Sequence, residues 1–255
     1  MVDLSRLNQE EKLFCSHIED LIKRCEKKYI PQFTHFLDER QGMIAGQVMA
    51  RAGWEDYLLF GGYESAARRM LGVFPPYHEA LEEDFPIQPL TFSYRGEDSL
   101  SHRDFLGSLM ALQIKREALG DILVGKGQTV VFASPTVASF IQNELKKVGS
   151  VGVKISEGMA EDLPIQQEFQ SISGTVSSLR LDCVVSLATK LSREKSAQLI
   201  RSGLVMLDFV PCQQVDRLVK EGDRMSIRGH GKYNIGGSDG FSKKGRIRLT
   251  VQKYT

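Results

Sequence analysis

Residues 178–255 carry two periodicities in succession, and together these leave few folds open. First come two short amphipathic stretches. Leu181, Val184, Val185 and Ala188 recur at helical spacing, and Ala197 and Ile200 do so after a Lys190-Leu191-Ser192 break. Ser192 suits the N-cap of the second helix, and Gly203 suits the left-handed residue that ends it. Period-two runs follow at 204–209, 225–228, 233–235 and 246–251, with Glu221-Gly222-Asp223 as a turn between strands. Met225 and Ile227 take one face, leaving Arg224, Ser226 and Arg228 on the other. Ile247, Leu249 and Val251 point inward, leaving Arg246 and Arg248 outside. The pattern predicts a helix pair packed on a small sheet, with its cations sorted onto outer faces.

The charge of the whole chain hides this. Its 255 residues sum to +1. Residues 1–177 hold 18 Lys and Arg against 25 Asp and Glu, a balance of −7, whereas residues 178–255 hold 15 against 7, a balance of +8. A basic end on an acidic remainder implies one dedicated surface for a polyanion. No apolar run approaches the ~18 residues that a membrane span needs, and MVDLSRLNQEEKLF lacks the apolar core of a secretory signal. No membrane partner and a cytoplasmic location are therefore expected. Cys15, Cys25, Cys183 and Cys212 include no C-x-x-C pair, so reduced thiols are expected and a zinc site is not.

The remainder reads as two further segments. In residues 1–77 a helix is expected over 7–29, ended by Pro31, and a second over 42–52. Residues 57–60 read as a short strand, and Gly61-Gly62 as a turn into a helix carrying Arg68 and Arg69. Residues 85–157 read as strand 90–94, helix 102–117 behind a Ser101 cap, and strands 121–124 and 129–132 joined at Gly125-Lys126-Gly127. A helix opened by Ser134-Pro135 and a strand over 151–155 complete the order βαββαβ, a ferredoxin-like plait. Residues 158–177 read as a connector.

A helix N-terminus offers unpaired backbone N–H groups and the positive end of a dipole, which together favour phosphate. Ser192, Arg193 and Lys195 stand at such a terminus, Arg180 and Lys190 flank the first helix, and Arg201 lies near the end of the second. Lys220, Arg224, Arg228 and Lys232 form a further tier on the strand side. These ten residues are the expected RNA contacts. A solvated charged surface would explain any one of them, but it explains their concentration and patterning less well.

The run Arg180-Leu181-Asp182, Leu191-Ser192-Arg193, 199–205 and Glu221-Gly222-Asp223 resembles the S4 RNA-binding domain, the αL motif. Phe60-Gly61-Gly62-Tyr63-Glu64, the stretch 101–107, Ile114-Lys115-Arg116-Glu117 and Gly120-Asp121-Ile122 resemble the YlmH family over nearly the whole chain. The resemblance implies an α+β multidomain protein. Its expected parts are an N-terminal mixed α/β domain (1–77), a ferredoxin-like RNA-binding middle domain (85–157) and a C-terminal S4 domain (178–255). It further implies ribosomal RNA and the large ribosomal subunit as partners, with tRNA besides, in rescue of stalled translation. One departure is Leu207-Asp208-Phe209, where many S4 domains carry Asn-Gly or a similar tight turn.

Other chemistry finds less support. Arg180-Leu181-Asp182 matches the sequence around a pseudouridine synthase aspartate, but Asp182 in a first helical turn most simply meets the helix dipole. His102-Arg103-Asp104 opens a helix and reads as a cap. Gly125-Lys126-Gly127 is no P-loop, and no dinucleotide fingerprint follows a strand. Phe92 and Tyr94 share a strand face with Leu90 and read as core, not as a stacking platform for bases. The expectation is a non-enzymatic protein with no cofactor, metal or small-molecule substrate. The alternatives are an RNA-modifying enzyme targeted by its S4 domain and a cell-division adaptor.

Overall fold

Asn8 and Glu11 each accept the other's backbone N–H, and helix α1 (Gln9–Lys28) starts at that reciprocal cap. In the computed structural model, which describes residues 7–159, 169–242 and 245–254, the chain divides into two compact units, Met1–Ile165 and Gln166–Thr255.

In the first unit, α1 is followed by β1 (Gln32–Phe33), α2 (Glu39–Ala52), β2 (Tyr57–Phe60) and β3 (Met70–Val73). The strands form an antiparallel sheet of order β1-β3-β2. Ile18, Leu21, Ile44, Val48, Met49 and Leu71 pack helices and sheet together. Helix α2 starts at Glu39, ahead of the expected 42, because Asp38 and Gln41 form a second reciprocal cap.

Next come β4 (Gln88–Ser93), α3 (His102–Ala111), β5 (Leu119–Val124), β6 (Gln128–Ala133), α4 (Pro135–Glu144), the small hairpin β7 (Lys147–Val148) and β8 (Val151–Gly152), and β9 (Lys154–Glu157). The sheet order is β5-β6-β4-β9, with every neighbour antiparallel, which is the strand order of a split βαβ plait. One sheet face packs on α3 and α4 through Leu90, Phe92, Val131, Phe105 and Ile141. The other packs Val130 and Phe132 against Phe36, Tyr63, Met70 and Phe74 from the preceding segment. β6 is therefore buried on both faces, and its alternation is lost.

The second unit runs β10 (Phe169–Val176), α5 (Leu181–Thr189), α6 (Arg193–Arg201), β11 (Val205–Leu207), β12 (Val210–Pro211), β13 (Arg224–Ile227), β14 (Gly231–Phe241) and β15 (Ile247–Tyr254). Its six strands are antiparallel in the order β10-β15-β14-β13-β11-β12. Leu181, Val184, Val185 and Ile200 of the helices pack on Val205, Met225, Ile227, Tyr233 and Leu249 of the sheet.

Several sequence expectations are corrected. No helix follows Gly61-Gly62; residues 61–69 form a loop that enters β3. The Asp121 carboxylate accepts the backbone N–H groups of Ala67 and Arg68 and the Tyr63 hydroxyl, so long-range bonds replace a helical ladder. Helix α3 ends at Ala111 instead of 117, since Gln113 is left-handed (φ 60°) and Ile114 turns into the core. The strand expected over 151–155 splits into β8 and β9. Of the connector 158–177, residues 169–176 are β10, paired along its length with β15; residues 160–168 lie outside those described.

Candidate nucleic-acid interface

Helix α6 begins at Ser192, whose Oγ accepts the Lys195 N–H at 3.3 Å. Helix α5 ends at Lys190, a left-handed residue (φ 59°). A tight connection thus joins the two helices. Ser186 Oγ secures it by donating to the Leu191 carbonyl at 2.7 Å. The expected helix pair and both of its boundaries are present.

Asp182 organises this end of the unit. Its side chain is only 5% exposed, yet its carboxylate accepts Arg193 Nε at 2.8 Å and Arg180 Nε at 3.2 Å. The Cys183 N–H also donates to it, at 3.0 Å. The guanidinium groups themselves reach solvent, at 56% exposed for Arg193 and 38% for Arg180. One buried carboxylate thus holds two exposed cations from different helices, and the cluster keeps a net charge of +1. Burial by itself would push the Asp182 carboxyl up. Hydrogen bonds from Arg193 and then Arg180, with their charges, outweigh it and hold the group below the ordinary value of 3.8.

A carboxyl lowered on folding adds stability that is complete above its unfolded value and is lost as pH falls through the folded value. The second unit should therefore lose stability below pH 3.8 in step with Asp182 protonation. Asp182→Asn should flatten that part of the profile. Chemical denaturation from pH 3 to 7 measures both, and identical profiles would remove Asp182 as an anchor.

Beside this cluster lies a cavity of about 230 Å³ lined by Arg193, Arg246, Thr175, Ser177, Ser186 and Cys183, among others. Arg246 Nη2 donates to the Thr175 carbonyl at 3.2 Å. Hydroxyls and guanidinium groups converging in so small a space suit a phosphate oxygen. Sequence reasoning placed Arg246 on an outer strand face but left it off the site. The available signal was its place at the head of an alternating basic strand.

The strand-side tier is separate. Arg224 faces Asn234 and Ser226 faces Lys232 across the β13–β14 ladder. Met225, Ile227 and Tyr233, which alternate with them, pack beneath the helices, so Arg224 and Lys232 occupy the sheet face turned from α5 and α6. Arg228, just past β13, and Arg201, at the end of α6, are exposed. Lys220 donates its backbone N–H to Asp223 in a turn. Arg180, Ser192, Arg193 and Lys195 are thus brought together with Lys190 close by in the chain, while Arg224 and Lys232 lie on the far sheet face and Arg228 follows β13, its N–H on the Leu204 carbonyl.

The tight turn that seemed missing is present. Asp208 and Phe209 both take positive φ (46° and 64°), joining β11 to β12 through the Met206↔Pro211 and Leu207↔Val210 pairs. This is the geometry that Asn-Gly normally supplies. Here the Asp208 carboxylate accepts the Arg224 N–H, the Asp208 N–H donates to the Arg224 carbonyl, and the Arg224 guanidinium lies 6.0 Å from the Phe209 ring.

In the first unit, Phe92 is buried, and Tyr94 is half-buried with its hydroxyl on the Gly125 carbonyl. With helices on one sheet face and Phe36 and Tyr63 on the other, base stacking on these rings is closed off. Ser101 and Asp104 cap α3, as expected of the His102-Arg103-Asp104 stretch. Among the described residues no three His, Cys, Asp or Glu are placed to hold a metal, and no helix is long and apolar enough to cross a membrane.

Residues 81–162, which bracket the plait from β4 to β9, match the family described as "Putative RNA-binding domain in YlmH". Over 248 residues the chain is 32% identical to the Bacillus subtilis (strain 168) "Ribosome-associated protein quality control protein P2", covering 96% of each. The structure resembles "Cell division protein ylmH from Streptococcus pneumoniae", with a TM-score of 0.53 and 24% identity over 62% of this chain and 96% of that one. That likeness speaks for fold alone. Fold and site together define an α+β protein that joins a plait-bearing unit to a basic helix-loop-helix module. The chain belongs to the YlmH family.

Proposed function

We propose that this chain is a non-enzymatic RNA-binding protein. In this reading its second unit is an S4 domain that docks on structured ribosomal RNA of the large subunit, beside tRNA, in cytoplasmic rescue of stalled translation. The single observation that carries the reading is the Asp182 clamp, which holds Arg180 and Arg193 at a helix N-terminus. Fixing two guanidinium groups in advance lowers the ordering cost of gripping a phosphate backbone. The B. subtilis relative's name supports the ribosomal setting. The family match over 81–162 supports an RNA role for the ferredoxin-like plait, through its edges or loops.

The same clamp weakens the enzyme reading. A catalytic aspartate needs a free oxygen facing substrate, whereas both Asp182 oxygens are bonded to arginines inside the module. No specific observation favours the division-adaptor reading.

Sucrose-gradient sedimentation of tagged protein from lysate tests the proposal. Wild type should comigrate with the large subunit, and Arg193→Glu/Lys195→Glu should stay at the top. Comigration of both proteins would move the ribosome-binding surface away from the helix pair. Comigration of neither would overturn the ribosomal target.

A further inference from the structure

Two guanidinium groups in the first unit converge on one carbonyl oxygen. Arg68 Nε and Arg116 Nη1 both donate to the Leu119 carbonyl, at 3.0 and 2.7 Å. Arg68 Nη2 also reaches the Phe36 and Arg116 carbonyls, and Arg116 Nη1 the Gly120 carbonyl. Every one of these partners is a neutral main-chain oxygen. Among the described residues no carboxylate lies within ion-pair distance of either group. Asp38 and Asp121 are the nearby anions, but Asp38 caps α2 and Asp121 already accepts from the Tyr63 hydroxyl and the Ala67 and Arg68 main-chain N–H groups. Arg68 Nη1 and Arg116 Nε and Nη2 make no protein bond among the described residues. Adjacent, half-buried like charges are costly unless an anion joins them. Burial, and then the charge of Arg68, lower the Arg116 pKa to about 10, so Arg116 stays cationic at neutral pH.

Both arginines line a cavity of about 690 Å³, within the ~300–1,000 Å³ usual for small-molecule sites. Lys115 adds a third cation, and Phe14, Phe36 and Met110 give an apolar wall. The acids in the lining are exposed and engaged: Asp38 caps α2 and Glu117 pairs with Lys115 at 3.9 Å. A cationic end beside an apolar wall fits an organic phosphate better than a bare ion. We propose that this cavity binds the phosphate of a nucleotide-sized ligand, with Arg68 and Arg116 on the phosphate and the apolar wall against the nucleoside. That nucleotide is either free or the phosphorylated end of an RNA strand. The site belongs to the first unit and the Asp182 clamp to the second.

The test is titration of the full chain at low salt with AMP, inorganic phosphate and a 5′-phosphorylated RNA hexamer, read by calorimetry and by NMR of arginine Nε–H signals. AMP should bind with a Kd below about 1 mM and more tightly than inorganic phosphate, and Arg116→Gln should weaken it about tenfold or more. In Arg193→Glu/Lys195→Glu, where the clamp no longer grips RNA, tighter binding of the hexamer than of AMP identifies an RNA end as the source; the reverse identifies a free nucleotide. Because Arg116→Gln loses structural bonds too, the wild-type spectrum is decisive on its own: AMP should shift the Arg68 and Arg116 signals and leave Arg193 unmoved. No binding of AMP or the hexamer up to about 10 mM, or shifts confined to other arginines, would overturn the proposal. Arg193→Glu/Lys195→Glu should bind AMP as wild type does, so failure of the ribosomal reading leaves this result independent.

Discussion

Arg193→Glu is expected to weaken binding to ribosomal RNA by about 30-fold or more. Three losses coincide in this variant. A guanidinium able to grip phosphate disappears, a carboxylate replaces it at the N-terminus of α6, and that carboxylate faces Asp182 where a 2.8 Å ion pair had been. The last effect also turns the cluster's net charge from +1 to −1 and leaves Arg180 with two acids to pair with. The wild-type affinity should fall with salt with a log–log slope of roughly −3 to −6, as about four to seven phosphates are neutralised, and the variant should lose at least about one unit of it. Filter binding across a salt series measures both. A slope near zero in wild type would remove backbone docking altogether, and unchanged affinity in the variant would take Arg193 out of the site.

Phe132→Ala should destabilise the first unit by about 3–5 kcal/mol. Phe132 is fully buried in β6, stacked on Tyr63 at a centroid distance of 5.2 Å. It also fills the space where Gly62, at φ +99°, and Gly120 bring their backbones close. Truncation leaves a cavity where the N-terminal segment meets the plait sheet, and that boundary has little freedom to collapse. For a unit of this size the midpoint should drop by about 10 °C or more. Calorimetry should show the first unit's transition moving alone, with the second unit's unchanged. A shift under about 2 °C would mean that the two parts of the first unit are held together elsewhere.

The parts of this fold that were legible are those specified by local chemistry. Ser192, Ser101 and Gly203 mark helix ends by backbone hydrogen bonding, and α6 and α3 begin or stop at them. The order of the plait strands was legible because each is a short apolar run bounded by turn residues. What sequence missed depends on partners far along the chain. The loop 61–69 looked helical until Asp121 claimed its N–H groups. β10 looked like a polar connector because Ser171, Ser173 and Thr175 face outward, and only pairing with β15 makes it a strand. At the candidate site the cations were visible and their organiser was not. Asp182 reads as a helix-dipole residue until its burial between Arg180 and Arg193 is seen. The meeting of Arg68 with Arg116 was likewise invisible, since periodicity says nothing about which carbonyl a guanidinium will find.

The β10–β15 pairing also sets an order of events during synthesis. Strands β11 to β14 can pair with neighbours as they leave the ribosome, whereas β10 must wait for a partner made last in this unit. Such non-local closure is slow and comes late. Arg246, at the head of β15, reaches Thr175 only through that closure. A copy whose synthesis halts before Ile247 therefore presents an unfinished cavity beside Arg193, with β10 unpaired. The basic face of this unit is completed only on a chain whose own translation has passed that point.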